Sequence, residues 1–224
     1  MKIAVLDFDY TLFEGYARYE LGYLMEEEGI INHGFSDEVK ALQTAYEDGQ
    51  ITYNQKFADD KAIFANYFNG IRRADVTKFL HDHFDWDKYF YPHSSKLITT
   101  LKEHGYLTVI VSGCWDFILE EAQEMLDFDT FFCSAFKEKE GMLTNEFATI
   151  LDYQSKREFS GQILAEATHS IGLGDSVADF EFLNLVNHPF LFEPRSDAIE
   201  ASKGKNYIVV NRGDALEKIG AVLQ

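Results

Sequence analysis

"KIAVLDFDYTLF", residues 2–13, runs from a nearly unbroken apolar stretch straight into two aspartates one residue apart. Unbroken apolarity over that length marks a strand covered on both faces, and such strands belong to parallel sheets flanked by helices. Carboxylates placed directly behind a buried strand are costly. Two of them ~5 Å apart repel by roughly 3 kcal/mol at an effective dielectric near 20. The strand must therefore end where something offsets that charge.

The apolar pattern recurs in "YLTVIV" (106–111), "HSIGLG" (169–174), "PFLF" (189–192) and "YIVV" (207–210). Helical stripes lie between these runs. Leu97, Ile98 and Leu101 mark one over 94–104, and Ile118, Ala122 and Met125 a second over 117–126. Phe159, Ile163 and Ala167 mark a third over 155–167, and Leu216, Ile219 and Leu223 a fourth over 214–223. Strand and helix alternate, which predicts an α/β core: a Rossmann-like, doubly wound, mainly parallel sheet.

Residues 14–91 break this rhythm with amphipathic helices and no strand-like run. One stripe holds Tyr16, Tyr19 and Tyr23 and ends near Gly29; a second holds Val39, Leu42 and Tyr46 between Ser36 and Gly49. Thr52 and Gln55 are spaced as a capping box for a third helix that runs to Phe68 and closes at Gly70. So long a helical stretch exceeds an ordinary crossover. Two domains are expected: an α/β core of 1–13 and 92–224, and an inserted all-helical cap domain of 14–91.

Composition bounds the function. The 224 residues, 46% of them hydrophobic, can bury one good core with a smaller appended domain. A formal net charge of −18 opposes nucleic acid and anionic membranes. Cys114 and Cys133 have no CxxC partners and make neither a disulfide framework nor a zinc site, so a reducing compartment is expected. The amino terminus meets an acid after four apolar residues, and no stretch reaches transmembrane length. A cytoplasmic protein is expected, and an anionic substrate would need a local cation.

Ligands of an open parallel sheet sit outside the carboxyl ends of its strands. Behind the apolar runs stand Asp7 and Asp9, then Ser112 and Gly113, then Asp175 with Asp179 one helical turn further on. Hard oxygen ligands without His or Cys nearby point to Mg2+, which also bridges phosphate oxygens. Lys156 begins the helix that leads into the Asp175 strand, so its ammonium can reach the same edge and share a phosphoryl oxygen, with Arg157 as a competitor. Singly, each of these residues also reads as a turn residue, a helix cap or solvated surface. Two acids at one strand end are what require an external charge.

"DFDYTL" (7–12), "VSG" (111–113), Lys156 and "GDSVAD" (174–179) stand in the order and spacing of the four motifs of the haloacid dehalogenase superfamily. The chain resembles the subfamily IB, phosphoserine-phosphatase-like branch of those phosphohydrolases, whose helical cap lies between motifs one and two. "FKEKEGMLTNEF" (136–147) is similar to the polar hairpin that often precedes the motif-three lysine there. The resemblance implies that Asp7 is a nucleophile forming an aspartyl phosphate and that Asp9 is general acid, then base. It implies magnesium held by Asp7, Asp175 and the main-chain carbonyl of Asp9, with Asp179 as a ligand through water or a brace. Ser112, the Gly113 amide and Lys156 would bind the phosphoryl oxygens, and Thr11 would orient Asp9 or its loop.

Dehalogenases of the family lack an acid at the Asp9 position, so its presence implies an oxygen leaving group and a small phosphorylated metabolite as substrate. Transfer to another alcohol, by a phosphotransferase of the same family, is one alternative. A receiver-like signalling module that keeps its phosphoaspartate is another, opposed by the long insertion and the DxD spacing. Phosphoserine phosphatases carry a glutamate nine residues after the nucleophile, SGG in motif two and GDGAND in motif four. Tyr16, "SGCW" and "GDSVAD" stand here instead, which argues against phosphoserine. Glu14, Arg18, Glu20, Arg72 and Arg73 are charged candidates for the leaving group, or plain surface. Trp115 is a candidate for the pocket floor or the core. Tyr10, Phe13, Tyr16 and Tyr19 could cage an alkylated ammonium or pack as a stripe. Oligomeric state has no signature in the chain.

Overall fold

The structure, a computed structural model, describes residues 1–223. In chain order its elements are β1 (Lys2–Leu6), α1 (Ala17–Glu27), α2 (Phe35–Glu47), α3 (Tyr53–Phe68), α4 (Arg73–His83), α5 (Trp86–Tyr89), α6 (Ser94–Glu103) and β2 (Tyr106–Trp115). They continue as α7 (Asp116–Leu126), β3 (Thr130–Lys139), β4 (Met142–Thr149), α8 (Tyr153–Leu164) and β5 (His169–Gly174). A 3-10 turn (Val177–Asp179) leads into α9 (Phe180–Leu183), β6 (His188–Phe192), α10 (Ser196–Ala201), β7 (Ile208–Val210) and α11 (Ala215–Gly220). No helix among the described residues is long and apolar enough to cross a membrane.

The chain forms two compact units. Met1–Tyr16, Asp85–Ser134 and Ile150–Gln224 make the first; Ala17–Phe84 and Ala135–Thr149 make the second. In the first, six parallel strands lie in the order β3-β2-β1-β5-β6-β7. β1 is central, with Leu6 level with Ile110 on one side and Leu173 on the other. Ile3, Val5, Val109, Val111, Leu183 and Leu191 join one buried cluster, which is why these strands are apolar without alternation.

The second unit combines α1–α4 with a hairpin. β3 continues past Ser134 into this unit and pairs antiparallel with β4, Lys139 opposite Met142. Glu140 and Gly141 form the turn with φ of 54° and 75°, the positive pair that a tight two-residue hairpin requires. Leu143 accepts from Gly70 N and donates to Ile71 O, and Phe68 stacks on Phe136 at 6.0 Å. These bonds tie 135–149 to the helices, so this unit is not built from residues 14–91 alone.

The boundaries also differ from 13/14 and 91/92. Glu14 N donates to Tyr89 O, Tyr91 N donates to Leu12 O, and Phe13 stacks on Tyr89 at 5.1 Å. The two linker segments are thus zipped together inside the first unit, and α5 goes with them. Within the second unit, the Thr52–Gln55 capping box opens α3 as its spacing predicts. Tyr16 lies before α1 rather than on its stripe. Ser36 does not begin α2; its amide and hydroxyl bond the Glu26 carboxylate, which caps that helix from α1.

Candidate active site

Asp7 N donates to Leu173 O at 2.9 Å, extending the ladder by one residue, so its side chain emerges beside the end of β5. The chain then turns tightly. Leu12 N and Phe13 N both donate to Phe8 O, and Tyr10 N donates to Gly15 O. Tyr10 takes a φ of 57°, a region that bulky residues avoid.

At the end of β5, Asp179 folds back on the strand. Its Oδ2 accepts from Asp175 N (3.1 Å), Ser176 N (2.9 Å) and Ser176 Oγ (2.8 Å). A Cβ on Gly174 would stand 2.5 Å from the Asp179 Cβ, so this approach requires glycine. Asp152 caps α8 by accepting from Ser155 N at 2.9 Å, which fixes the first turn of the helix and places Lys156 inward. Lys156 Nζ donates to Asp7 Oδ1 at 3.0 Å and Asp179 Oδ1 at 2.6 Å, all three side chains buried. Arg157, the competitor, meets Glu181 at 3.4 Å on the exposed side.

β2 runs on through Trp115, so Ser112 and Gly113 lie inside the strand rather than behind it. The register with β3 slips between Val111 and Trp115 at that point. Such an irregularity re-aims side chains at a sheet end. Ser112 is buried and its Oγ accepts from Cys114 N at 3.4 Å. The Thr11 hydroxyl is buried with no hydrogen-bond partner.

Carboxylate oxygens of Asp7, Asp175 and Asp179 lie within 4.8 Å of one another; the Asp9 carboxylate is not part of this group. Burial, then repulsion from Asp179 and Asp9, pushes the Asp7 carboxyl up to about 7 against the pull of Lys156. Asp175 is raised by burial, Asp179 and Asp7, opposed by Lys156 and Arg195. Burial works against the Lys156 charge, but Asp179 and Asp7 outweigh it and raise its pKa. One ammonium thus serves a cluster with surplus negative charge. Buried hard oxygens with that surplus suit a small divalent cation. Asp179 already accepts four hydrogen bonds, three of them at Oδ2.

Other candidates go elsewhere. Within the first unit, Glu14 pairs with Arg212 at 3.2 Å, Trp115 is buried, and Phe13 packs between Phe8 and Tyr89. Within the second, Arg18 pairs with Asp60 at 3.2 Å, Arg73 with Glu138 at 3.3 Å, and Tyr19 stacks on Phe64. Tyr10 and Tyr16 meet edge to face at 4.9 Å. Arg195, behind β6, was not among the candidates, yet its guanidinium lies over the Tyr10 ring. The strand-end rule that found Asp7 and Asp175 reaches it when applied to "PFLF".

A family model described as haloacid dehalogenase-like hydrolase matches residues 4–184. No curated protein sequence matches significantly. Among solved structures, a protein of unknown function from Bordetella pertussis Tohama I is similar with a TM-score of 0.74 at 17% identity, over 94% of this chain and 98% of that one. A phosphoserine phosphohydrolase-like protein from Francisella tularensis subsp. tularensis SCHU S4 gives 0.73 at 15% identity, over 100% of both chains. A phospho-aspartyl intermediate analogue of phosphoserine phosphatase gives 0.71 at 20% identity, over 100% of this chain and 99% of that one. At these identities the likeness is one of fold.

Proposed function

The chain belongs to the haloacid dehalogenase-like hydrolase family, and on that premise we propose that it is a magnesium-dependent phosphatase hydrolysing a small phosphate monoester through an aspartyl phosphate. The observation that carries this reading is the buried bridge from Lys156 to both Asp7 and Asp179, with Asp175 beside it, at the carboxyl edge of the sheet. The fold shared with structures described as phosphoserine phosphatase supports it.

Asp7 attacks phosphorus in line; its oxygen–phosphorus bond forms as the ester oxygen leaves, and Asp9 gives that oxygen a proton. Water then attacks the aspartyl phosphate, Asp9 takes its proton, and inorganic phosphate departs with Asp7 restored. The Ser112 hydroxyl, the Gly113 amide and Lys156 meet the phosphoryl oxygens, where charge spreads in the transition state. Asp179 holds Lys156 in line with Asp7. A magnesium ion held by Asp7, Asp175 and the Asp9 main-chain carbonyl would supply the positive charge that lets both carboxylates ionise and that binds phosphoryl oxygens. Tyr16, packed edge-on against Tyr10, offers no carboxylate for a substrate ammonium, which favours monoesters other than phosphoserine.

Phosphate release from an aryl phosphate tests the reading. Turnover should require magnesium, stop on chelation and be abolished in Asp7→Asn. Unimpaired turnover in either case would overturn it.

A further inference from the structure

Thr11 N, Leu12 N and Phe13 N all donate to Phe8 O, and an isolated bridge joins Asp9 to Phe13, so residues 8–13 form one tight turn that carries Asp9 with it. Asp9 is buried, yet its carboxylate stands outside the group made by Asp7, Asp175 and Asp179. Where it lies depends on how the turn is held. On the side of Asp7 the hold is the ladder bond to Leu173 O at 2.9 Å.

On the far side the turn is held at Leu12 O. A carbonyl oxygen has two lone pairs, and this one takes two donors: Tyr91 N at 3.1 Å and Ser94 Oγ at 2.7 Å. The donors are not equivalent. Tyr91 belongs to the linker zipped to residues 12–14, so it follows the turn. Ser94 is the first residue of α6, which packs on β2 and buries Leu97, Ile98 and Leu101. Its hydroxyl thus carries the position of the sheet, through α6, to a carbonyl three residues from Asp9. Ser94 is 0% exposed, and in that low-dielectric setting the bond is electrostatically stronger than in water. The Thr11 hydroxyl, on the turn itself, is equally buried and has no hydrogen-bond partner, so it does not supply this hold.

We propose that Ser94 is a positioning residue: its hydroxyl, acting through Leu12 O, holds Asp9 in line to pass its proton to the leaving oxygen. This rests on the phosphatase reading above. In that step the Asp9 O–H bond breaks as the ester oxygen leaves phosphorus and takes the proton, while the Asp7 oxygen–phosphorus bond forms. A basic leaving oxygen needs the proton most, and an acidic one departs nearly without it. Slackening the hold should therefore cost rate in step with the basicity of the leaving group. A hydrogen bond that served the fold alone would cost every ester alike.

Benzyl, phenyl and 4-nitrophenyl phosphate, in falling order of leaving-oxygen basicity, serve as probes at saturating magnesium. The readout is kcat/KM, which reports the step in which the ester oxygen departs. Ser94→Ala should lower it for benzyl phosphate by about 10- to 100-fold, part of what a placed general acid contributes, and progressively less for the other two. Ser94→Thr, which keeps the hydroxyl, should restore most of the benzyl phosphate rate. Ser94→Cys, close in volume but a weak donor, should fall between wild type and Ser94→Ala. Leu12 O keeps Tyr91 N in each variant, so all three should fold. An equal loss on the three esters would overturn the proposal, and so would no loss on any. Should Ser94→Ala fail to fold, the same ordering read from Ser94→Cys decides. A wild type that releases phosphate from none of the three would bring down the phosphatase reading itself.

Discussion

At the amino-terminal edge of the sheet, polar side chains close on one another. The Tyr106 hydroxyl meets His169 Nδ1 at 2.6 Å, and His169 Nε2 meets His188 Nε2 at 3.0 Å. Ser170 N donates to Asn187 Oδ1 at 2.8 Å, and Asn187 N donates to Ser170 Oγ at 2.9 Å. At the carboxyl edge of the same strands, Lys156 is shared by two carboxylates while Asp7 and Asp175 are driven up by burial and by repulsion from Asp179. Polar groups that satisfy one another stabilise a fold; groups left with surplus charge are arranged for something that arrives from outside.

Asp7→Asn should separate the edges most sharply. Phosphate release should fall by about ten-thousandfold or more, as for loss of a nucleophile. Urea unfolding of the chelated variant should nonetheless show a gain of roughly 1–3 kcal/mol near neutral pH, because a repelled buried carboxylate becomes neutral. A destabilised variant would break the comparison. Lys156→Met should do the reverse to the fold, costing about 3–5 kcal/mol, since Asp7 and Asp179 lose their buried cation. Stability unchanged within error would mean that the cluster is not strained as described.

Gly174→Ala forces Asp179 away from the strand end and should lower kcat/KM by about 10- to 100-fold through the displaced brace, in the range seen for lost supporting contacts. Normal kinetics would show that Lys156 holds its line without Asp179. Tyr106→Phe, at the opposite edge, removes one hydrogen bond and should cost about 1 kcal/mol with turnover unchanged. A changed kcat there would show that the edges are coupled.

The response to pH carries both signs. Burial, His188 and Lys2 lower the His169 pKa from 6.5, so its contribution to stability is present above 6.5 and is lost as pH falls through the lowered value. Asp7 has the opposite sign. Raised from 3.8 to about 7, it contributes stability below 3.8 that is lost as pH rises through 7. The rise of the Asp7 carboxyl from 3.8 to about 7 corresponds to roughly 4 kcal/mol at ~1.4 kcal/mol per pH unit, so the chelated protein should lose thermal stability as pH rises from about 4 to 7, with His169 opposing the loss below 6.5. Added magnesium should repair only the alkaline side, because deprotonated carboxylates are what bind it. Repair on the acid side would contradict the assignment of the two edges.

Much of this architecture is local in origin. "KIAVL" and "HSIGLG" coincide with β1 and β5 because a strand buried on both faces must be apolar throughout, and the Thr52–Gln55 spacing marks the start of α3 because a capping box is a contact within one turn. β3 was less legible. Its first seven residues are buried or half-buried, its last three are exposed, and it changes from a parallel to an antiparallel partner midway. α4 carries Val76, Phe79 and Leu80 at helical spacing but was not resolved from its surroundings by pattern. The first turn of α2 depends on Glu26, a residue of the preceding helix, so a reading of the α2 segment places its start one residue late.

Residue order was enough to place acids behind the first and fifth strands and a lysine ahead of the fifth, since an apolar run followed by a charge is a pattern of neighbours. Folding alone brought Lys156 between Asp7, 149 residues away, and Asp179, left the Asp9 carboxylate outside the converging group, and carried Arg195 to Tyr10. Contacts across such separations leave no local periodicity. The energy of a buried charge is likewise set by the groups that surround it once the chain has closed.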